Sequence, residues 1–108
     1  AGAEQIIMHA ERNLDTEIEV DESHTVGGNR KIKVDGKHSE TIKLETSIAV
    51  EEGSYFVTVD KGEVKINAAT SITLEVGASK LVMKSDGTIT LSGNVVDVEG
   101  KTIINLNK

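Results

Sequence analysis

Aliphatic residues recur along almost the whole chain as pairs flanking one polar or variable position. The pairs are Ile18/Val20, Ile32/Val34, Ile42/Leu44, Ile48/Val50, Val57/Val59 and Val64/Ile66, then Ile72/Leu74, Leu81/Met83, Ile89/Leu91, Val96/Val98 and Ile104/Leu106. His24/Val26 occupies the one remaining slot. From Val59 onward the second members are spaced by 7, 8, 9, 8, 7 and 8 residues, so the period is close to eight. Slips concentrate in the first half, the widest being the ten residues from Val34 to Leu44. A helix needs apolar residues at i, i+3, i+4 and i+7. Spacing of i and i+2 instead puts both side chains on one face of a strand. Charged and hydroxylic residues alternate with them, as where Asp15, Glu17, Glu19 and Asp21 interleave with Thr16, Ile18 and Val20. The paired positions are mostly β-branched, which suits a pleated surface.

Turn-forming residues separate the pairs: Gly27-Gly28-Asn29, Asp35-Gly36, Gly53, Gly62, Asn67, Gly77, Asp86-Gly87, Gly93-Asn94 and Gly100. Gly and Asn adopt positive φ at little cost, so the corners are expected to use it. Each unit reads as a strand of about five residues and a corner of about three. The organisation expected is a lead-in segment over 1–13, either a strand or an expression remnant, and a single repeat region over 14–108. No composition shift or linker marks a second domain.

Two inward apolar side chains per eight residues cannot enclose a core within one chain. Three architectures use such a pattern. One is an antiparallel meander, for which the Asp-Gly and Gly-Asn dipeptides suit hairpin turns. A second is a single-chain parallel β-helix, whose coil or face lengths fit eight poorly. The third is an intertwined triple-stranded parallel β-helix, a homotrimeric triangular β-prism in which each repeat supplies one face. Composition favours this all-β trimer. Of 108 residues only 37% are hydrophobic, and the aromatics are Tyr55 and Phe56 alone. A monomer so poor in large side chains has difficulty burying a core. Shared among three chains, roughly 24 inward positions at about 1.5–3 kcal/mol each give tens of kcal/mol per chain before ordering entropy. Association and folding are then one event. Strands are expected to pair with neighbouring chains along most of their length, which removes exposed edges.

Other features exclude classes of function. There is no Cys, hence no disulfide, thiolate metal site or Cys nucleophile. A net charge of −6 has the wrong sign for a phosphate backbone, and the aromatic scarcity argues against base stacking, so no nucleic-acid partner is expected. No apolar run approaches membrane-spanning length, and no signal-peptide pattern opens the chain.

Two stretches resemble a known family. The segment from Gly2 to Arg30 (GAEQIIMHAERNLDTEIEVDESHTVGGNR) is similar to the part of VgrG proteins that passes into their C-terminal needle. Within it, Val26-Gly27-Gly28-Asn29 resembles the corner of that family's eight-residue repeat. The stretch from Ser71 to Gly100 (SITLEVGASKLVMKSDGTITLSGNVVDVEG) resembles the distal needle. VgrG is the trimeric spike of the bacterial type VI secretion system and is similar to the central spike of contractile phage tails. The resemblance implies a structural needle that is driven by sheath contraction and helps pierce a target envelope. It also implies a PAAR-repeat tip protein at the blunt distal end, carried effectors, and assembly in the bacterial cytoplasm followed by secretion through the apparatus. By the same resemblance the chain is a fragment of a longer protein.

Candidate chemistry is sparse, and neither enzymatic activity nor a cofactor is expected. His24 shares the inward parity of Val26, which makes it the one candidate for a three-His metal ring about the axis. A partly exposed or water-bridged His is the favoured reading. His9 and His38 read as surface or strand-end residues. The acidic run Asp15, Glu17, Glu19, Asp21 and Glu22 reads mainly as a solvated strand face. No Gly-x-Ser-x-Gly elbow, P-loop or EF-hand loop is present. Outward Thr41, Thr46, Thr58, Thr73, Thr88 and Thr90 read as soluble β-formers. For a trimer the charge becomes three times −6, or −18, which keeps rods apart and disfavours anionic membranes. A rival class is a non-enzymatic adhesive or glycan-binding fibre-shaft module, with Tyr55 and Phe56 as its platform.

Overall fold

The computed structural model describes residue 2 and residues 4–107. It is all β, with no helix among the described residues. The chain divides into two units, Ala1–Ile48 and Ala49–Lys108.

In the first unit the backbone bends at 11–12, 19–20, 27–28, 35–36 and 43–44, a step of eight each time. The second unit opens with bends at 51–53, 60–62 and 69–70. The corners are therefore most regular in the half where apolar spacing slips. The reason lies in which residues the bends contain. Val20 and Leu44, taken above as the second members of strand pairs, fall in the bends at 19–20 and 43–44. The residues just before each bend are Ile18, Val26, Val34, Ile42 and Val50, eight apart without a slip.

The second unit carries a three-stranded antiparallel sheet in the order β1-β2-β3, formed by β1 (Ser71–Val76), β2 (Ser79–Lys84) and β3 (Ile89–Ser92). Over Ser71–Ser92 the strands are antiparallel, unlike the parallel strands expected there. These three strands pair within one chain, because two short turns reverse it. In the first, Val76 faces Ser79 across the two-residue loop Gly77-Ala78, with Gly77 at φ 53°. A Gly at the first central position is what a type II′ hairpin requires. In the second, the Gly87 N–H donates to the Lys84 carbonyl (3.1 Å), and the Lys84 N–H donates to the Thr88 carbonyl (2.9 Å). With Gly87 at φ 92°, this is a type I turn followed by a left-handed residue, the usual three-residue hairpin.

Among the described residues positive φ is confined to these hairpins. Among the described residues no non-glycine adopts it, and Gly77 and Gly87 are the glycines that do. The corner glycines before them turn the chain without entering the left-handed region, contrary to the expectation from composition.

No described residue is fully buried, and the chain exposes 12393 Å². A folded monomer of 11.5 kDa exposes about 5,800 Å². The apolar shortage is thus matched by the absence of a single-chain core among the described residues.

Candidate functional site

The register of the sheet sorts its side chains onto two faces. Directly opposed residues in an antiparallel ladder share a face, as do residues two apart on one strand. Leu74 faces Leu81, which faces Leu91; Ile72 faces Met83, which faces Ile89. Two apolar rows of three therefore cross one side of the sheet. On the other side, Glu75 faces Lys80 and Lys80 faces Ser92, while Ser71 faces Lys84. Lys80 Nζ lies 3.8 Å from Glu75 Oε2. Val82, between Thr73 and Thr90, is the apolar member of this otherwise polar side. The six residues of the apolar rows are six of the positions expected to face inward, and within one chain they remain half-buried or exposed.

In the first unit, exposure distinguishes the position just before a bend from positions within it. Ile18, Val26, Val34 and Ile42 are 50%, 51%, 47% and 51% exposed, and Val50, which opens the same step in the second unit, is 47%. Val20 and Leu44, in the bends, are 86% and 90% exposed. The near-equality of the first set shows one local environment repeated every eight residues. Ile32, Ile48, Val57, Val59, Val64, Ile66, Val96, Val98, Ile104 and Leu106 are likewise exposed in the isolated chain.

The residues two positions before these pre-bend aliphatics are Thr16, His24, Ile32, Glu40 and Ile48. Two of them engage in imidazole–carboxylate contacts with a residue two positions away. His24 Nε2 is 2.5 Å from Glu22 Oε1, and His38 Nε2 is 3.3 Å from Glu40 Oε1. Both contacts are between i and i+2 and both are well exposed, so His24 stands beside a carboxylate in solvent. Among the described residues of the single chain, no three His, Cys, Asp or Glu side chains gather as a metal site. Exposed contacts such as Lys33–Asp35 (3.6 Å) and Lys65–Glu63 (3.3 Å) repeat the i, i+2 geometry. Each contributes little by itself.

The second hairpin holds a carboxylate shifted from its ordinary value. Asp86 Oδ1 accepts the Thr88 backbone N–H at 2.9 Å. Hydrogen bonds from the Thr88 hydroxyl first, and from its backbone second, hold the Asp86 carboxyl below its ordinary value. This is a turn-locking interaction and carries no chemistry. A small cavity at the end of the sheet is lined by Asn67, Ala68, Thr70, Ser71, Ile72, Met83, Lys84 and Ser85. Neither Tyr55 nor Phe56 lines it; both are exposed elsewhere on the chain. The most coherent feature is thus a repeated apolar surface suited to association.

Comparison with known proteins gives that surface a context. A family model described as the bacteriophage T4 gp5 C-terminal trimerisation domain matches residues 1–92. A curated relative, the type VI secretion system spike protein VgrG1c of Pseudomonas aeruginosa, is 59% identical over 34 residues. That match covers 32% of this chain and 5% of the relative, so the chain corresponds to a small part of that protein's length. With residues 1–92 of its 108 matched by that model, the chain belongs to the bacteriophage T4 gp5 C-terminal trimerisation domain family.

Proposed function

We propose that this chain is the needle segment of a contractile injection spike, working as a homotrimer whose function is mechanical. The observation that carries this reading is the set Ile18, Val26, Val34, Ile42 and Val50. These are half-exposed aliphatics eight residues apart, each placed just before a bend, in a member of a trimerisation family. In an intertwined parallel β-prism each bend turns the chain onto the next face, and the residue before it points to the axis. Three copies then bury at every level what one copy leaves in solvent. The surplus of about 6,600 Å² over a folded monomer of this mass is ample for such an interface, since obligate interfaces run to about 2,000–5,000 Å² or more. Extended backbone outside the sheet also needs hydrogen-bond partners, which neighbouring chains supply in this arrangement.

The likeness to a type VI spike protein supports placing the needle in a secretion apparatus. On that reading residues 14–108 form the needle behind a lead-in over 1–13. The trimer leaves the cell through the apparatus and meets the target envelope mechanically. Its distal end seats a PAAR-repeat tip protein, and effectors travel with the spike. A trimer charge of three times −6, or −18, keeps copies from associating laterally. The test is a pull-down of purified trimer with a PAAR-repeat protein. Saturable binding lost on truncating the C-terminal 15 or so residues supports a tip-bearing needle, while binding unaffected by truncation contradicts it.

A further inference from the structure

The dipeptide Asp-Gly occurs at Asp35-Gly36 and at Asp86-Gly87, and the backbone holds the two in different ways. We propose that Asp35-Gly36 is a site of spontaneous backbone isomerisation to isoaspartate, and that the second hairpin shields Asp86-Gly87 from the same reaction. The Gly36 nitrogen attacks the Asp35 side-chain carboxyl carbon, Cγ. An N–Cγ bond forms, a Cγ–O bond breaks, and the amide hydrogen leaves with the carboxyl hydroxyl as water. The five-membered succinimide then takes water back at one of its two carbonyls. Opening at Cγ restores aspartate. Opening at the former backbone carbonyl leaves the chain running through Cβ and Cγ, with a free α-carboxylate. Water is lost and regained, so the reaction needs no oxidant, reductant or cofactor.

Three observations separate the sites. The nucleophile is engaged at one and free at the other. The Gly87 N–H donates to the Lys84 carbonyl at 3.1 Å, whereas among the described residues the Gly36 N–H has no backbone acceptor in its own chain. The carboxyls differ likewise. Asp86 Oδ1 accepts the Thr88 N–H at 2.9 Å, a bond that must break before Cγ can swing onto the Gly87 nitrogen. Hydrogen bonds from Thr88 also hold this carboxyl below its ordinary value, which depletes the protonated form whose hydroxyl departs. Asp35 has only Lys33 Nζ at 3.6 Å, in a pair whose side chains are 84% and 90% exposed, and such a contact restrains little. Backbone freedom is the third difference. Ring closure needs rotation of the Asp-Gly peptide, which the Lys84–Thr88 bond resists at the hairpin; the bend at 35–36 is flanked by backbone outside any ladder. In the proposed trimer that bend is a corner, outside the strands that neighbouring chains pair with. The product carries one extra methylene carbon in the backbone between Val34 and Ile42, aliphatics that stand eight residues apart before successive bends. Each event therefore lengthens one eight-residue step.

The test is to age the full chain in neutral buffer and locate isoaspartate in it. An isoaspartyl carboxyl methyltransferase with methyl-labelled S-adenosylmethionine marks the product, and peptide mapping by mass spectrometry assigns the mark. Folded protein should gain isoaspartate at Asp35 at least about fivefold faster than at Asp86, the slowing expected when a turn hydrogen bond must open first. In urea, where neither turn persists, the two rates should agree within about twofold. Gly36→Ala puts a methyl group beside the attacking nitrogen. The position has open space and no positive φ, so this variant should fold, and it should lower the label at Asp35 while leaving Asp86 unchanged. Equal rates at the two sites in folded protein, or a faster rate at Asp86, would overturn the proposal. So would folded protein that stays unlabelled at Asp35 while the chain in urea is labelled there, or a label at Asp35 that Gly36→Ala does not reduce.

Discussion

Glycines that look alike in the sequence divide into two kinds by backbone conformation. Gly87 sits at φ 92° in the second hairpin, where a Cβ meets no neighbour but the conformation itself disfavours any L side chain. Gly87→Ala is expected to cost about 1–2 kcal/mol, read from chemical denaturation. Gly28 lies in a bend, lacks positive φ and has open space around its Cβ direction. Gly28→Ala should therefore be neutral within about 0.5 kcal/mol in the same measurement. Asp86 makes a prediction of another sort. Its carboxyl is held below its ordinary value by the Thr88 hydroxyl and backbone N–H, so its folded-state value lies below its unfolded one. The stabilisation is fully present above the unfolded value, about 3.9, and is lost as pH falls through the folded value. Asp86→Asn should flatten the acid limb of stability against pH below about pH 4, and parallel limbs would contradict the interaction.

At the scale of elements, the eight-residue period was legible in the sequence, but its register was not. A search for two aliphatics flanking one residue fails where the residue two positions before the pre-bend aliphatic is polar, as at Thr16, His24 and Glu40. Around Thr16 and Glu40 it slips forward to Val20 and Leu44, aliphatics that occupy bends. Spacing between bends identifies the unit, and bends at ordinary φ leave no compulsory residue behind. Strand direction was also only half legible. Period two fixes which side chains share a face but is the same for parallel and antiparallel neighbours. The deciding signals were the Gly77-Ala78 loop and Ser85-Asp86-Gly87, which read equally as corners or hairpins until the ladder is seen. The register gives a sharp comparison: Ile42→Asp should abolish trimer formation by bringing three charges together, whereas Leu44→Asp should leave it within about 0.5 kcal/mol of the parent. Comparable losses would place both residues, or neither, at the axis.

For the whole molecule, the composition that looked inadequate for a globule fits a protein whose core forms only between chains. No described side chain is fully buried in one copy, and 12393 Å² is exposed where about 5,800 Å² is expected of a folded monomer of this mass. Folding and association should accordingly be coupled, with a thermal midpoint that rises with protein concentration. A midpoint independent of concentration over two decades would argue for a core within one chain. The most direct test is the mass in solution by sedimentation equilibrium at micromolar concentration. The account predicts three times the 11.5 kDa chain, about 34.5 kDa, with strand content by circular dichroism. A folded, stable species of 11.5 kDa would contradict it.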